Sequence, residues 1–240
     1  MSPVEMKDPE RVLVVVAHPD DADFGSGGTV AKLIAEGVEV HFCVATNGDL
    51  GGFDRSIDRA EIPLIRQEEQ NHAAAVYGVS SVTFLGYLDG SLEPCSDLRR
   101  DISRVIRKLR PDTVICQSPE RNFERIQASH PDHLAAGEAT LRAVYPDARN
   151  PFAFPELLAD GLEPHTVAQV LLMASAQFNF VSDVTDSFDR KVAALLEHKS
   201  QLPRPEELPK MVELWARSSA ERAGLPEGRL AELFYLVKTA

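Results

Sequence analysis

Cysteine is scarce in this 240-residue chain, and the three present, Cys43, Cys95 and Cys116, lie far apart with no Cys-x-x-Cys pair. That excludes a disulfide framework and a thiolate zinc site, and it fits a reducing compartment. Positive charge is also short: 25 Lys and Arg face 37 Asp and Glu, a formal net charge of −12. Such a surface repels a phosphate backbone, which argues against a nucleic-acid partner. Long apolar runs are missing as well. The run at residues 12–17 is about a third of what a membrane span needs, and the polar N-terminus before it lacks a signal-peptide core. The expectation is a cytoplasmic protein with no membrane partner. No repeat or low-complexity tract interrupts the sequence, and 44% hydrophobic against 26% charged residues suits one folded domain over residues 1–240.

What is present is an alternation of short apolar runs with segments of helical period, the pattern of βαβ units and a mostly parallel sheet. Strands are expected at 12–17, 38–46, 81–85, 113–117, 168–173 and 232–237. Helices are expected at 29–36, 63–77, about 98–109, 134–145, 187–198 behind Asp186 as N-cap, and 206–223. The stretch Gly25-Ser-Gly-Gly-Thr29 fails as a dinucleotide fingerprint because Val30 stands where its last glycine is needed, so it reads as a tight helix entry. The proline-rich segment 146–164, with Phe152 and Phe154, reads as a long connection of the kind that forms pocket walls, lids or subunit contacts.

Open α/β sheets bind ligands outside the carboxyl ends of their strands. There the first apolar run stops in His18-Pro-Asp-Asp21, and downstream of a later strand stands His130-Pro-Asp-His133. Imidazole nitrogen and carboxylate oxygen suit Zn²⁺, and a catalytic zinc keeps three protein ligands and one open place. At i, i+3 spacing His18 can point with Asp21 while Asp20 points elsewhere, and His130 and His133 can lie together. Taken singly, each tetrapeptide reads as a structural His beside a capping Asp. Together they favour a divalent cation, because adjacent carboxylates repel unless something offsets them. His41, His72 and His165 read as packing or surface residues, and His198 as a charge at a helix C-terminus. Cys43 and Cys116 read as small buried groups. A metal-dependent phosphoesterase, often a two-metal enzyme, remains the rival reading.

Ala17-His-Pro-Asp-Asp21 with Gly27-Gly-Thr29, and His130-Pro-Asp-His133 with Ala135-Ala-Gly137, resemble the two signatures of the PIG-L/LmbE-like N-deacetylases, zinc hydrolases of N-acetylglucosamine-type conjugates. The resemblance continues through Thr46-Asn-Gly-Asp-Leu-Gly51, Ile65-Arg-Gln-Glu-Glu69, Phe84-Leu-Gly86 and His198-Lys-Ser-Gln201. It implies a Rossmann-like three-layer α/β sandwich acting on a small amino-sugar conjugate, such as a thiol-cofactor intermediate or a secondary-metabolite glucosaminide, in a homo-oligomer. It further implies His18, Asp21 and His133 as zinc ligands and Asp20 as general base. His130 would be acid or oxyanion partner, Asp132 would orient it, and Asp49 and Arg66 would contact the sugar. A catalytically silent sugar-binding relative of the same fold is the remaining alternative. Two departures stand out: Ala22 replaces the Glu that many relatives carry after the second Asp, and Leu230 replaces an aromatic before Ala231-Glu-Leu-Phe234.

Overall fold

The structure, a computed structural model, describes residues 5–240. Its strands are β1 (Arg11–Val16), β2 (Glu39–Thr46), β3 (Ser81–Tyr87), β4 (Thr113–Gln117), β5 (Gln169–Met173), β6 (Phe180–Asp183) and β7 (Ala231–Lys238). Its helices are α1 (Asp21–Ala35), α2 (Ile62–Tyr77), α3 (Ser96–Leu109), α4 (Pro131–Arg142), α5 (Pro155–Ala159), α6 (Phe188–Leu195) and α7 (Leu208–Arg222). The strands form one sheet in the order β3-β2-β1-β4-β5-β7-β6, with β7 antiparallel to both its neighbours and the other pairings parallel.

A continuous Val/Leu run is what a strand covered on both faces requires. Val12 through Val16 are 0% exposed. Leu13 and Val15 join Ile102 of α3 and Ala136 of α4 in one core, whereas Val12, Val14 and Val16 join Ala31 of α1, Ala73 of α2 and Ala194 of α6 in the other. Each fully buried valine contributes about 1.5–3 kcal/mol. These two cores make the three layers. A third cluster packs α7 against α6 through Val212, Ala216, Phe188 and Leu195.

Three expectations need correction. Helix α1 begins at Asp21, eight residues before the expected start, so the glycines lie inside it rather than at its entry. Tertiary packing overrides their poor helix propensity: a Cβ at Gly28 would stand 2.8 Å from the Val184 Cβ. The carboxylate of Glu232 also accepts the Gly28 and Thr29 amides at 2.9 and 2.8 Å. Asp186 caps no helix; it lies in a 3₁₀ turn, Thr185–Ser187, that leads into α6. Strand β6 was not expected because four residues on a sheet edge leave almost no periodicity.

The order β3-β2-β1 to one side and β4-β5 to the other makes the gap between β1 and β4 the topological switch point, where the loops leaving neighbouring strands diverge and open a crevice. His18 follows β1, and the segment preceding α4 follows β4.

Candidate metal centre and active site

The two His-Pro-Asp segments meet in that crevice. Ring centroids of His18, His130 and His133 lie 5.0–5.4 Å apart, and one nitrogen from each falls within 4.8 Å of the others. Asp21 stands between two of the rings, with Oδ2 3.2 Å from His18 Nδ1 and Oδ1 3.1 Å from His133 Nε2. The expected pairing of His18 with Asp21 is made, though by a tight turn rather than a helical one. Asp20 takes φ 94° there, and the His18 amide donates to Asp21 Oδ2 at 2.7 Å. Helix α4 brings His133 in on its first turn, and its close seating depends on Gly137, where a Cβ would overlap the Gln117 carbonyl oxygen at the end of β4.

His18 Nε2 faces two more carboxylates, Asp89 Oδ1 at 3.0 Å and Asp132 Oδ2 at 3.2 Å. Burial alone would pull the His18 pKa down, but Asp132, Asp21 and Asp89 outweigh it and raise it to about 12. Burial opposes the charged form of Asp21 too, yet His133 and His18 hold its carboxyl well below the usual range. His133 resists burial through Asp21 and is raised, whereas burial and then the charges on His18 and His133 push His130 down. A buried imidazole that faces three carboxylates marks a pocket suited to positive charge. Its nitrogen and oxygen donors are the set a divalent zinc-type ion takes, so the residues present fit such a metal.

Around this centre the remaining candidates divide. Asp20 Oδ2 accepts from Arg66 Nη2 at 3.1 Å, and the same guanidinium donates to the Pro19 carbonyl at 2.6 Å and, through Nη1, to the Gly48 carbonyl at 2.9 Å. Burial lifts the Asp20 pKa to about 6, with Arg66 pulling down and Asp21 pushing up. Arg66 is 4% exposed, with both Nη groups turned to protein acceptors and Nε buried without a partner, yet it lines the cleft of about 310 Å³ beside His18, Asp20, Asp21, Asp89 and His130. Asp49 braces a neighbouring turn: its Oδ1 accepts the Asp89 amide at 3.0 Å. The carboxylate of Asp132 is given to His18 and to the amides of Gly90 and Leu92, while His130 receives only its backbone N–H, at Nδ1.

Sequence reasoning missed Asp89, although an Asp-Gly pair directly after a strand satisfies the same carboxyl-edge rule that found His18. It also missed His198, which is 1% exposed and donates to Asp23 Oδ2 at 3.0 Å instead of sitting as a charge at a helix end. His41 and His165 are tied to neighbours as expected of packing residues, through Ser81 and the Pro111 carbonyl. Segment 146–164 contributes nothing to the cleft lining; Arg107 of α3 ties it down by donating to the carbonyls of Asp147, Asn150 and Ala153.

Comparison with known proteins identifies the family of the chain. Over 196 residues the chain is 34% identical to the diacetylchitobiose deacetylase of Thermococcus kodakarensis, covering 82% of this chain and 72% of that one. Over 198 residues it is 30% identical to the "probable N-acetyl-alpha-D-glucosaminyl L-malate deacetylase 2" of Bacillus cereus, covering 80% and 83%. The solved N,N'-diacetylchitobiose deacetylase of Pyrococcus horikoshii superposes with a TM-score of 0.87 at 31% identity, over 96% of this chain and 85% of that one. Residues 13–144, from β1 through α4 and so including both His-Pro-Asp segments, match the family model described as PIG-L, GlcNAc-PI de-N-acetylase. The chain therefore belongs to the PIG-L de-N-acetylase family.

Proposed function

We propose that this protein is a zinc-dependent N-deacetylase that removes the acetyl group from an amino-sugar conjugate. The observation that carries the reading is the meeting of three imidazoles and the Asp21 carboxylate at the switch point of the sheet, in a chain whose relatives are named for deacetylating such sugars. His18, Asp21 and His133 are the residues that would hold the ion. Zinc in such a site acts as a Lewis acid that polarises a carbonyl and acidifies water.

The chain's own groups move the protons. Asp20, half-buried and held up to about 6, is a base matched to neutral pH and takes a proton from the water that attacks the acetamide carbon. Arg66 keeps its Oδ2 fixed at 3.1 Å. His130 has Nδ1 occupied by the Asp132 amide, so Nε2 is the nitrogen that steadies the developing oxyanion. As the C–N bond breaks, the newly protonated Asp20 returns its proton to the leaving amine, giving acetate and the free amine. Asp49 and Arg66 belong to this reading as groups that shape the sugar's position, Asp49 through the Asp89 turn.

The phosphoesterase alternative is weakened because the second group of cation donors, His18, Asp89 and Asp132, shares His18 with the first and so adds no independent metal site. One sheet gathering strands from Arg11 to Lys238 supports a single domain over residues 1–240. Three free cysteines support a cytoplasmic setting, and no helix of the described residues is long and apolar enough to cross a membrane. The test is amine release from a panel of N-acetylated glucosaminides by the zinc-loaded protein. Asp20→Asn is expected to lower it by about 10²–10⁴-fold. Release unchanged in that variant, or two tightly bound ions per chain, would overturn the mechanism.

A further inference from the structure

The reaction leaves unused a buried chain of polar side chains behind Asp20. The Asp20 amide donates to Gln70 Oε1 at 2.8 Å, Gln70 Nε2 donates to Asp23 Oδ2 at 2.9 Å, and His198 Nε2 donates to the same oxygen at 3.0 Å. Gln70 and Asp23 are 0% exposed and His198 is 1% exposed. The orientation of the Gln70 amide is fixed by its neighbours, since one end meets an N–H and the other a carboxylate. The turn carrying His198 is tied to the same helix, because Glu69 of α2 accepts the Ser200 amide and hydroxyl, both at 2.7 Å.

Asp20 needs such a clamp. At φ 94° and ψ −27° it occupies a left-handed conformation that a residue with a Cβ adopts only when its surroundings over-determine it. Relaxation of that turn would swing the Asp20 carboxylate away from its place beside Asp21. Two residues of α2 prevent this from opposite ends: Arg66 grips the Asp20 carboxylate and the Pro19 carbonyl, and Gln70, one turn on, grips the Asp20 amide. At i, i+4 they share a helix face.

We infer that Gln70, held by Asp23 and His198, is a positioning residue that fixes the left-handed backbone of Asp20 and thereby aims its carboxylate. The inference rests on the reading of Asp20 as the base of a deacetylase. A merely structural role would change stability and leave turnover in proportion to folded protein; a positioning role changes kcat in fully folded, zinc-loaded enzyme.

The experiment measures kcat, KM, bound zinc and thermal midpoint for Gln70→Met, His198→Ala and His198→Gln beside the wild type. Gln70→Met, which keeps length but removes both polar contacts, is expected to lower kcat by about 10²-fold with KM and zinc content within about twofold. His198→Ala is expected to lower kcat in the same sense, and His198→Gln, which still offers Asp23 a donor, to restore most of it. Wild-type kcat in folded Gln70→Met overturns the inference. So does a His198→Gln enzyme as slow as His198→Ala at equal zinc content, and this pair decides the matter if Gln70→Met does not fold. Wild-type protein inactive on every N-acetylated sugar would instead overturn the deacetylase reading beneath it.

Discussion

Replacing Arg66 by Met separates two things the guanidinium does. It is 4% exposed and serves the Pro19 carbonyl, the Gly48 carbonyl and the Asp20 carboxylate at 2.6, 2.9 and 3.1 Å. Hydrogen bonds to a charged partner contribute about 1.5–3 kcal/mol each, and water reaching the vacated cleft recovers part of that, so a net loss near 3 kcal/mol is expected. For a chain of this size that lowers the thermal midpoint by roughly 6–12 °C. The second effect is electrostatic. Burial raises the Asp20 pKa, and Arg66 is the first of the charges opposing it. An opposite charge at contact distance typically lowers a carboxyl by about 1–3 units, so its removal should carry the acid limb of kcat/KM upward by at least ~1 unit. Arg66→Lys returns a charge to Asp20 but cannot serve two carbonyls as well, so the acid limb should recover while the midpoint does not. The measurement is kcat/KM from pH 4 to 9 alongside calorimetry. An unmoved acid limb in Arg66→Met would refute the electrostatic coupling of Arg66 to Asp20.

Gly137→Ala should destabilise the protein by about 1–3 kcal/mol, because the new Cβ meets the backbone oxygen of Gln117 rather than a side chain that could turn aside; an unchanged denaturant midpoint would contradict the close seating of α4. His133→Ala should lose its zinc on dialysis under conditions where the wild type keeps about one ion per chain, as elemental analysis would report. Asp183 lies below the ordinary carboxyl range: burial opposes this, and the Thr185 hydroxyl and amide together with Arg229 outweigh it. With a folded pKa below the unfolded one, its stabilisation is present above about pH 4 and fades as pH falls through the lower folded value. Asp183→Asn should therefore be less stable than the wild type at pH 7, with the difference closing in acid; a gap constant from pH 7 to 2 would rule this out.

The parallel strands were legible because burial on both faces leaves uninterrupted apolar runs such as Val12–Val16, and α3 because Leu98, Ile102, Val105 and Ile106 mark one face. The pairing of His18 with Asp21 was legible from local spacing. What escaped were contacts whose two halves lie on different elements. The α1 glycines follow from Val184 and Tyr77 standing against them, which nothing in Gly25–Gly28 announces. Asp89 matters because β3 ends on the same edge as β1, although β2 lies between them. His198 is a buried partner of Asp23, 175 residues away in sequence, so no local pattern could link them.

Arg66 and Gln70 sit four residues apart on α2, and both hold a single aspartate that belongs to a different element. Any loosening that tilts this helix releases the base from both ends at once, while the sheet and its two cores remain intact. Heat or mild denaturant should therefore silence the enzyme before it melts, and the margin between the two events measures how firmly one helix is seated.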